Sequence, residues 1–165
     1  HNKKMKKIAY PIFSFILLIF INGCTGYEPI FGSKNLQFKI ADFSIEGNKI
    51  LGNKIYSKLY GISKSTKDDQ NVRNIDLLIK VSKDKHATSK NSAGKILEYK
   101  ITLNTEVEIK DFATDNEILN KTFISSLTYK VQSLYSDTVN LEKKTIENLI
   151  NKTYQKLLIN LSQNI

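Results

Sequence analysis

A chain of 165 residues with one Cys, two His and no Trp, and with 25 Lys and Arg against 16 Asp and Glu for a formal charge of +9, lacks the half-cystines of a disulfide-stapled scaffold and the donors of a His- or Cys-built metal cluster. Arg73 is its one arginine, so the basic excess is carried by lysine point charges, without the planar guanidinium forks that read phosphates and base edges. Nucleic acid is therefore excluded as the expected partner.

The N-terminal region carries the strongest signal. Lys3, Lys4, Lys6 and Lys7 precede an apolar run from Ile8 to Ile21, and Asn22-Gly23 lead into Cys24. A basic flank, a short apolar run and a small residue directly before Cys form a lipoprotein signal, cleaved so that Cys24 becomes a lipidated first residue. The apolar run is shorter than the roughly 20 residues a spanning helix needs. A buried thiol or an intermolecular disulfide is hard to reconcile with a Cys at the end of such a run. Met5 reads as an initiator, which would put residues 1–4 ahead of the native start. The expected organisation is a signal peptide over 1–23, a lipidated tether over 24–37 and a single domain over 38–165. Losing the four leader lysines lowers the net charge from +9 to +5, and the remaining length suffices for an ordinary core without metal or disulfide.

Within the tether, Gly26, Pro29 and Gly32 surround Tyr27, Ile30 and Phe31. Pro29 lacks an amide donor and the glycines relax the backbone, so the segment reads as extended. Tyr27, Pro29, Ile30 and Phe31 would dock either on a partner or membrane interface, or on the domain's own core. Phe38 to Glu46 then alternates, with Phe38 and Ile40 against Lys39, followed by Ala41, Phe43 and Ile45 against Asp42, Ser44 and Glu46. This is a strand that ends at Gly47-Asn48.

Leu51, Ile55, Leu59 and Ile62 recur at helical steps and predict an amphipathic helix over 48–62, with Gly61 near its end. Residues 63–71 read as a solvated loop. Ile75, Leu77, Ile79 and Val81 define a strand reaching about Lys83, and 84–95 reads as a polar connection at the tip of a long hairpin. Leu97, Tyr99, Ile101, Leu103, Val107 and Ile109 then alternate with polar residues through Lys110. Asp111 to Asn116 supplies a turn, and Phe123, Leu127, Tyr129 and Val131 return within a strand over 119–131. A final helix is expected from an Asn140 cap to about Ser162, with Ile146, Leu149, Ile150, Tyr154, Leu157, Leu158 and Leu161 on one stripe. The predicted fold class is α+β, a two-layer sandwich with a four-stranded sheet and two helices on one face, in the order β-α-β-β-β-α.

Catalytic chemistry is sparsely represented. His86 is the one histidine beyond the leader, so a His-based triad or metal site has no second member. Ser92-Ala93-Gly94-Lys95 matches Ser-x-x-Lys, but in a glycine-containing loop and without companion motifs. Glu106 and Glu108 share a polar strand face with lysines and read as a charge ladder. The expectation is a non-enzyme with no cofactor and no metal. Lys83, Lys85, Lys90 and Lys95 gather around the hairpin tip, where they either meet phosphorylated sugars or keep the tip soluble and block edge pairing.

Cys24-Thr25-Gly26-Tyr27-Glu28-Pro29-Ile30-Phe31-Gly32 resembles the Cys-Gly-aromatic-x-Pro-Leu-Tyr-Gly start of the lipopolysaccharide-assembly lipoprotein family (LptE), with Thr25 inserted. The element order of the rest of the chain is similar to that family's. The resemblance implies an outer-membrane lipoprotein, held by acyl chains on the periplasmic side. Such a protein sits largely in the lumen of the lipopolysaccharide transport barrel (LptD), assists its assembly, plugs it and binds lipopolysaccharide. Family ligand contacts are attributed partly to basic residues between the second and third strands, where Lys85, Lys90 and Lys95 are the positional candidates. Thr25, and not Asp, follows the lipidated Cys, which agrees with outer-membrane sorting where Asp is the retention signal. The competing expectation is a free-standing outer-membrane lipoprotein that binds a lipid or glycan outside any translocon.

Overall fold

The computed structural model describes residues 36–65 and 72–164. The signal peptide, Cys24 and the tether residues Tyr27, Pro29, Ile30 and Phe31 lie outside the described residues. Six elements follow in chain order: β1 (Phe38–Gly47), α1 (Lys49–Ser65), β2 (Arg73–Lys90), β3 (Ile96–Asp111), β4 (Glu117–Lys130) and α2 (Tyr135–Ser162). The strands lie side by side in sequence order. β1 runs parallel to β2 across the α1 crossover, and β2, β3 and β4 form an antiparallel meander. This is the α+β order read from the sequence.

Strand β1 contains a change of phase. Phe38 and Ile40 face the helices, and after a register shift between Ile40 and Asp42 so do Phe43 and Ile45. A bulge inserts one residue and flips the alternation, which is what the switch from even to odd apolar positions encodes. The displaced amide of Ile40 donates to Ser63 Oγ at 3.2 Å. Ser63 therefore belongs to α1 and is buried, so the helix runs beyond the expected end at Ile62 and the solvated loop begins later than position 63.

Gly47 turns the chain from β1 into α1 with φ +68°. Asn48 caps the helix, its Oδ1 accepting the Leu51 amide at 3.2 Å, and its own amide donates to the Val81 carbonyl at 2.7 Å. Gly52 meets Ile45 so closely that a Cβ there would overlap the isoleucine side chain. The helix is thus seated directly on the edge strand.

A single core joins both helices to one face of the sheet. Leu51, Ile55 and Leu59 of α1 and Leu149, Ile150, Leu157 and Leu161 of α2 pack on Ile75, Leu77, Ile79, Val81, Ile101, Leu103, Val107 and Ile109. Leu36, assigned to the tether from sequence, is also part of this core. Among the described residues the other face of the sheet carries no helix and is mostly polar, with the hydroxyls of Thr102 and Ser126 paired at 2.9 Å.

Two boundaries differ from expectation. β2 continues to Lys90, so most of the anticipated polar connection is strand and the tip shrinks to residues 91–95. β1 pairs with β2 only as far as Val81, so β2 beyond that point is a sheet edge whose residues 82–90 are exposed apart from Ala87. Lys85, a polar residue, takes the place there that faces α2, which removes the apolar alternation that marks a half-buried strand. Helix α2 starts at Tyr135, with Leu134 at its cap position making no side-chain cap bond. Asn140 lies inside the helix, and the start is held instead by Thr138 Oγ1, which accepts the Gln132 amide at 2.8 Å.

Hydroxyls are buried between α2 and the sheet, among them those of Thr105, Ser125 and Thr153. Thr153 donates to Ser125 Oγ at 3.2 Å, whereas Thr105 Oγ1 has no hydrogen-bond partner. An unpaired buried hydroxyl costs roughly 1–3 kcal/mol. Thr105→Val keeps shape and β-branching, so it should stabilise the domain by about 1 kcal/mol in urea unfolding.

Candidate functional site

The hairpin end of the sheet collects most of the residues singled out by sequence. Lys85 sits opposite Ile101 and therefore projects on the helix-bearing face, beneath the first half of α2. Its Nζ lies 2.6 Å from Glu142 Oε2, 4.5 Å from the Tyr99 ring centroid and 5.7 Å from that of Tyr129. The two tyrosine rings stack at 5.7 Å, and Tyr129 donates its hydroxyl to the same Glu142 oxygen at 2.9 Å. Lys85 is thus a clasp between β2, β3, β4 and α2, with cation–π contacts beside a charge-assisted hydrogen bond.

The ionisation of the clasp follows from these contacts. Burial opposes the Lys85 charge, but hydrogen bonding to Glu142 and Tyr129 and the nearby carboxylate outweigh it and push its pKa up to about 12. Burial likewise opposes the Glu142 charge, and the same partners outweigh it, with Lys83 adding to the pull, so its pKa is lowered. Burial, chiefly, raises that of Tyr129.

A depressed carboxylate contributes stability above its ordinary value of 4.5 and loses it as pH falls through the depressed value. Raised Lys85 contributes below 10.5 and loses its share as pH climbs toward about 12. Glu142→Gln should therefore be less stable than the native chain at neutral pH, and the gap should close as urea titrations are carried below pH 4.5.

Lys90 and Lys95 are placed differently. Lys90 ends β2 and Lys95 closes the tip, both exposed and without an ion pair among the described residues. Asn91 holds the turn, its Oδ1 accepting the amides of Ala93 at 3.1 Å and Lys95 at 2.9 Å. This turn geometry does not place Lys95 one helical turn from Ser92, so the Ser-x-x-Lys match has no catalytic arrangement. The structure thus leaves two of the three hairpin lysines exposed at the tip and ties the third into the fold.

Beside them lies a groove of about 480 Å³ that the sequence reading missed, lined among others by Lys95, Ile96, Tyr99, Val131, Tyr135 and Thr138. Tyr135 of its lining is 84% exposed. Apolar residues flanked by Ser133 and Ser136 between a strand and a helix were the available signal. Their meaning emerges only when the β4–α2 connection meets the tip of a hairpin some forty residues earlier.

The remaining candidates are solvated. His86 hydrogen-bonds Asp84 at 2.9 Å, and both are exposed. Glu106 and Glu108 face the open side of the sheet, near Lys80 at 3.9 Å and Lys110 at 2.8 Å, a charge ladder as expected. Among the described residues no three His, Cys, Asp or Glu side chains gather as metal ligands, and no helix is long and apolar enough to cross a membrane.

A four-stranded sheet in the order β1-β2-β3-β4 with two helices packed on one face is a fold seen in solved structures of bacterial lipoproteins. A Caulobacter crescentus protein described as a lipoprotein is similar with a TM-score of 0.52 and 10% identity, covering 73% of this chain and 86% of its own. Lipoprotein B of Nitrosomonas europaea is similar at 0.51 and 13% identity, covering 74% and 81%. The minor lipoprotein of Acinetobacter baumannii is similar at 0.50 and 16%, covering 77% and 94%. At these identities the likeness is one of fold. No protein-family model matches the sequence, and no curated protein matches it.

Proposed function

We propose that this protein is a non-enzymatic outer-membrane lipoprotein that pairs with the lipopolysaccharide transport barrel, LptD. There it aids barrel assembly, plugs the lumen and helps deliver lipopolysaccharide to the cell surface. The observation that carries the reading is the open face of the sheet. Ser82, Asp84, Thr102, Asn104, Glu106 and Ser126 lie on it across β2, β3 and β4, and a barrel lumen is itself polar. Such a face, on which Leu78 and Ile124 are the apolar members, can line a water-filled lumen with little apolar surface exposed. The Cys24 signal, the Gly26-Tyr27-Glu28-Pro29-Ile30-Phe31-Gly32 start and the lipoprotein fold support the same assignment. In this reading Lys90 and Lys95 supply the cations nearest to lipopolysaccharide phosphates.

Affinity capture of the native lipidated protein in mild detergent tests the proposal. A large barrel recovered at one-to-one ratio is the expected result. The groove at the hairpin end favours one alternative, a free-standing lipoprotein that takes a lipid or glycan there. Recovery without any barrel, together with a ligand lost in Tyr135→Ala, would establish that alternative instead.

A further inference from the structure

The two faces of the domain carry opposite charge. On the helix side Lys49, Lys54 and Lys58 of α1 and Lys143, Lys144 and Lys152 of α2 stand against Asp137, Glu142 and Glu147. Glu142 is already committed to Lys85, and Glu147 to Lys54 at 3.1 Å. Lys49, Lys143, Lys144 and Lys152 are exposed and make no ion pair among the described residues. The helices form one continuous surface, because a groove of about 400 Å³ between them is walled by Asn53, Lys54, Ser57, Lys58 and Glu147. The open side of the sheet has the reverse balance. Asp42, Glu46, Asp76, Asp84, Glu98, Glu106 and Glu108 lie there beside Lys39, Lys80, Lys100, Lys110 and Lys130, so carboxylates lead narrowly, and Lys80 and Lys110 are paired with Glu106 and Glu108.

We infer that the outer surface of α1 and α2 docks on the anionic headgroups of a lipid bilayer. Lysines near such a surface are attracted individually and additively, and the effect fades within a Debye length. Here the acidic face points the opposite way, so attraction of one side and repulsion of the other turn the molecule in the same sense. Ile50, 74% exposed between Lys49 and the Lys54 turn, places an apolar side chain at the same surface. The inference rests on the acyl anchor at Cys24, which keeps the domain within reach of a bilayer, and it concerns the lipidated protein outside a barrel, since a domain enclosed in a lumen does not also rest on headgroups. A lipid chain supplemented by a basic patch is the usual two-signal arrangement for stable membrane attachment.

Lysine acylation footprinting of the full lipidated protein, anchored without any barrel in vesicles of phosphatidylcholine alone or with phosphatidylglycerol added, tests the inference. Labelling of Lys49, Lys143, Lys144 and Lys152 should fall by about threefold or more in the anionic vesicles and recover in high salt, while Lys80 and Lys100 stay unchanged. Charge reversal at Lys143, Lys144 and Lys152 together should abolish the protection of Lys49 without changing the circular dichroism spectrum. Equal labelling in both vesicle types, or protection of the open sheet face, would overturn the inference. So would protection of the helix side that appears only when a protein partner is added. Since no barrel is present, failure here leaves the translocon reading intact, and failure of barrel capture leaves this one intact.

Discussion

Leu157→Ala should destabilise the domain by about 2–5 kcal/mol, read as a lowered urea midpoint at unchanged slope. Leu157 is fully buried on α2, in the core where that helix covers the sheet. Truncation removes the transfer free energy of its side chain and leaves a cavity that the neighbours can close only in part. The surroundings are stiff, since β2, β3 and β4 are paired in register beneath the helix, which argues for the upper part of that range. An effect below about 1 kcal/mol would mean that α2 is not seated on the sheet as described.

Gly47→Ala should cost about 3 kcal/mol, although it adds one methyl group. Its φ of +68° lies in the left-handed region, where a residue with a Cβ pays roughly 1–2 kcal/mol. The added Cβ would also overlap the Val81 carbonyl oxygen. That oxygen accepts the Asn48 amide at 2.7 Å, and pushing it away strains the bond that starts α1, worth about 1 kcal/mol or more when lost. Gly61 provides the control, because a Cβ there meets nothing within 4 Å. Gly61→Ala, inside α1, should be neutral or slightly stabilising in the same urea assay.

The elements that could be read from sequence are those with one buried face. Phe38 and Ile40 followed by Phe43 and Ile45 marked β1 as a strand, although their change of phase was not read as a bulge, and the stripe of α1 was legible from Leu51, Ile55 and Leu59. Where burial stops, the signal stops, and Asp84 to Lys90 therefore looked like a loop although it continues β2. On α2 the stripe was incomplete because Thr145 and Thr153 occupy core positions, and Thr153 does so by satisfying Ser125.

The hairpin lysines show the same limit at the level of function. Lys85, Lys90 and Lys95 are alike in composition, but only the register that sets Lys85 opposite Ile101 puts it beneath α2 and against Glu142. The groove beside Lys95 depends on a contact between distant segments, for which sequence spacing carries no information. The open polar face was, by contrast, written plainly in the alternate residues of β3.

The central claim is that an acylated Cys24 holds this two-faced domain at a membrane. The most direct measurement is the intact mass and N-terminal peptide of the protein isolated from its native cells. The expected chain begins at Cys24 and carries a thioether-linked diacylglycerol. A retained leader, or an unmodified thiol at Cys24, would contradict it.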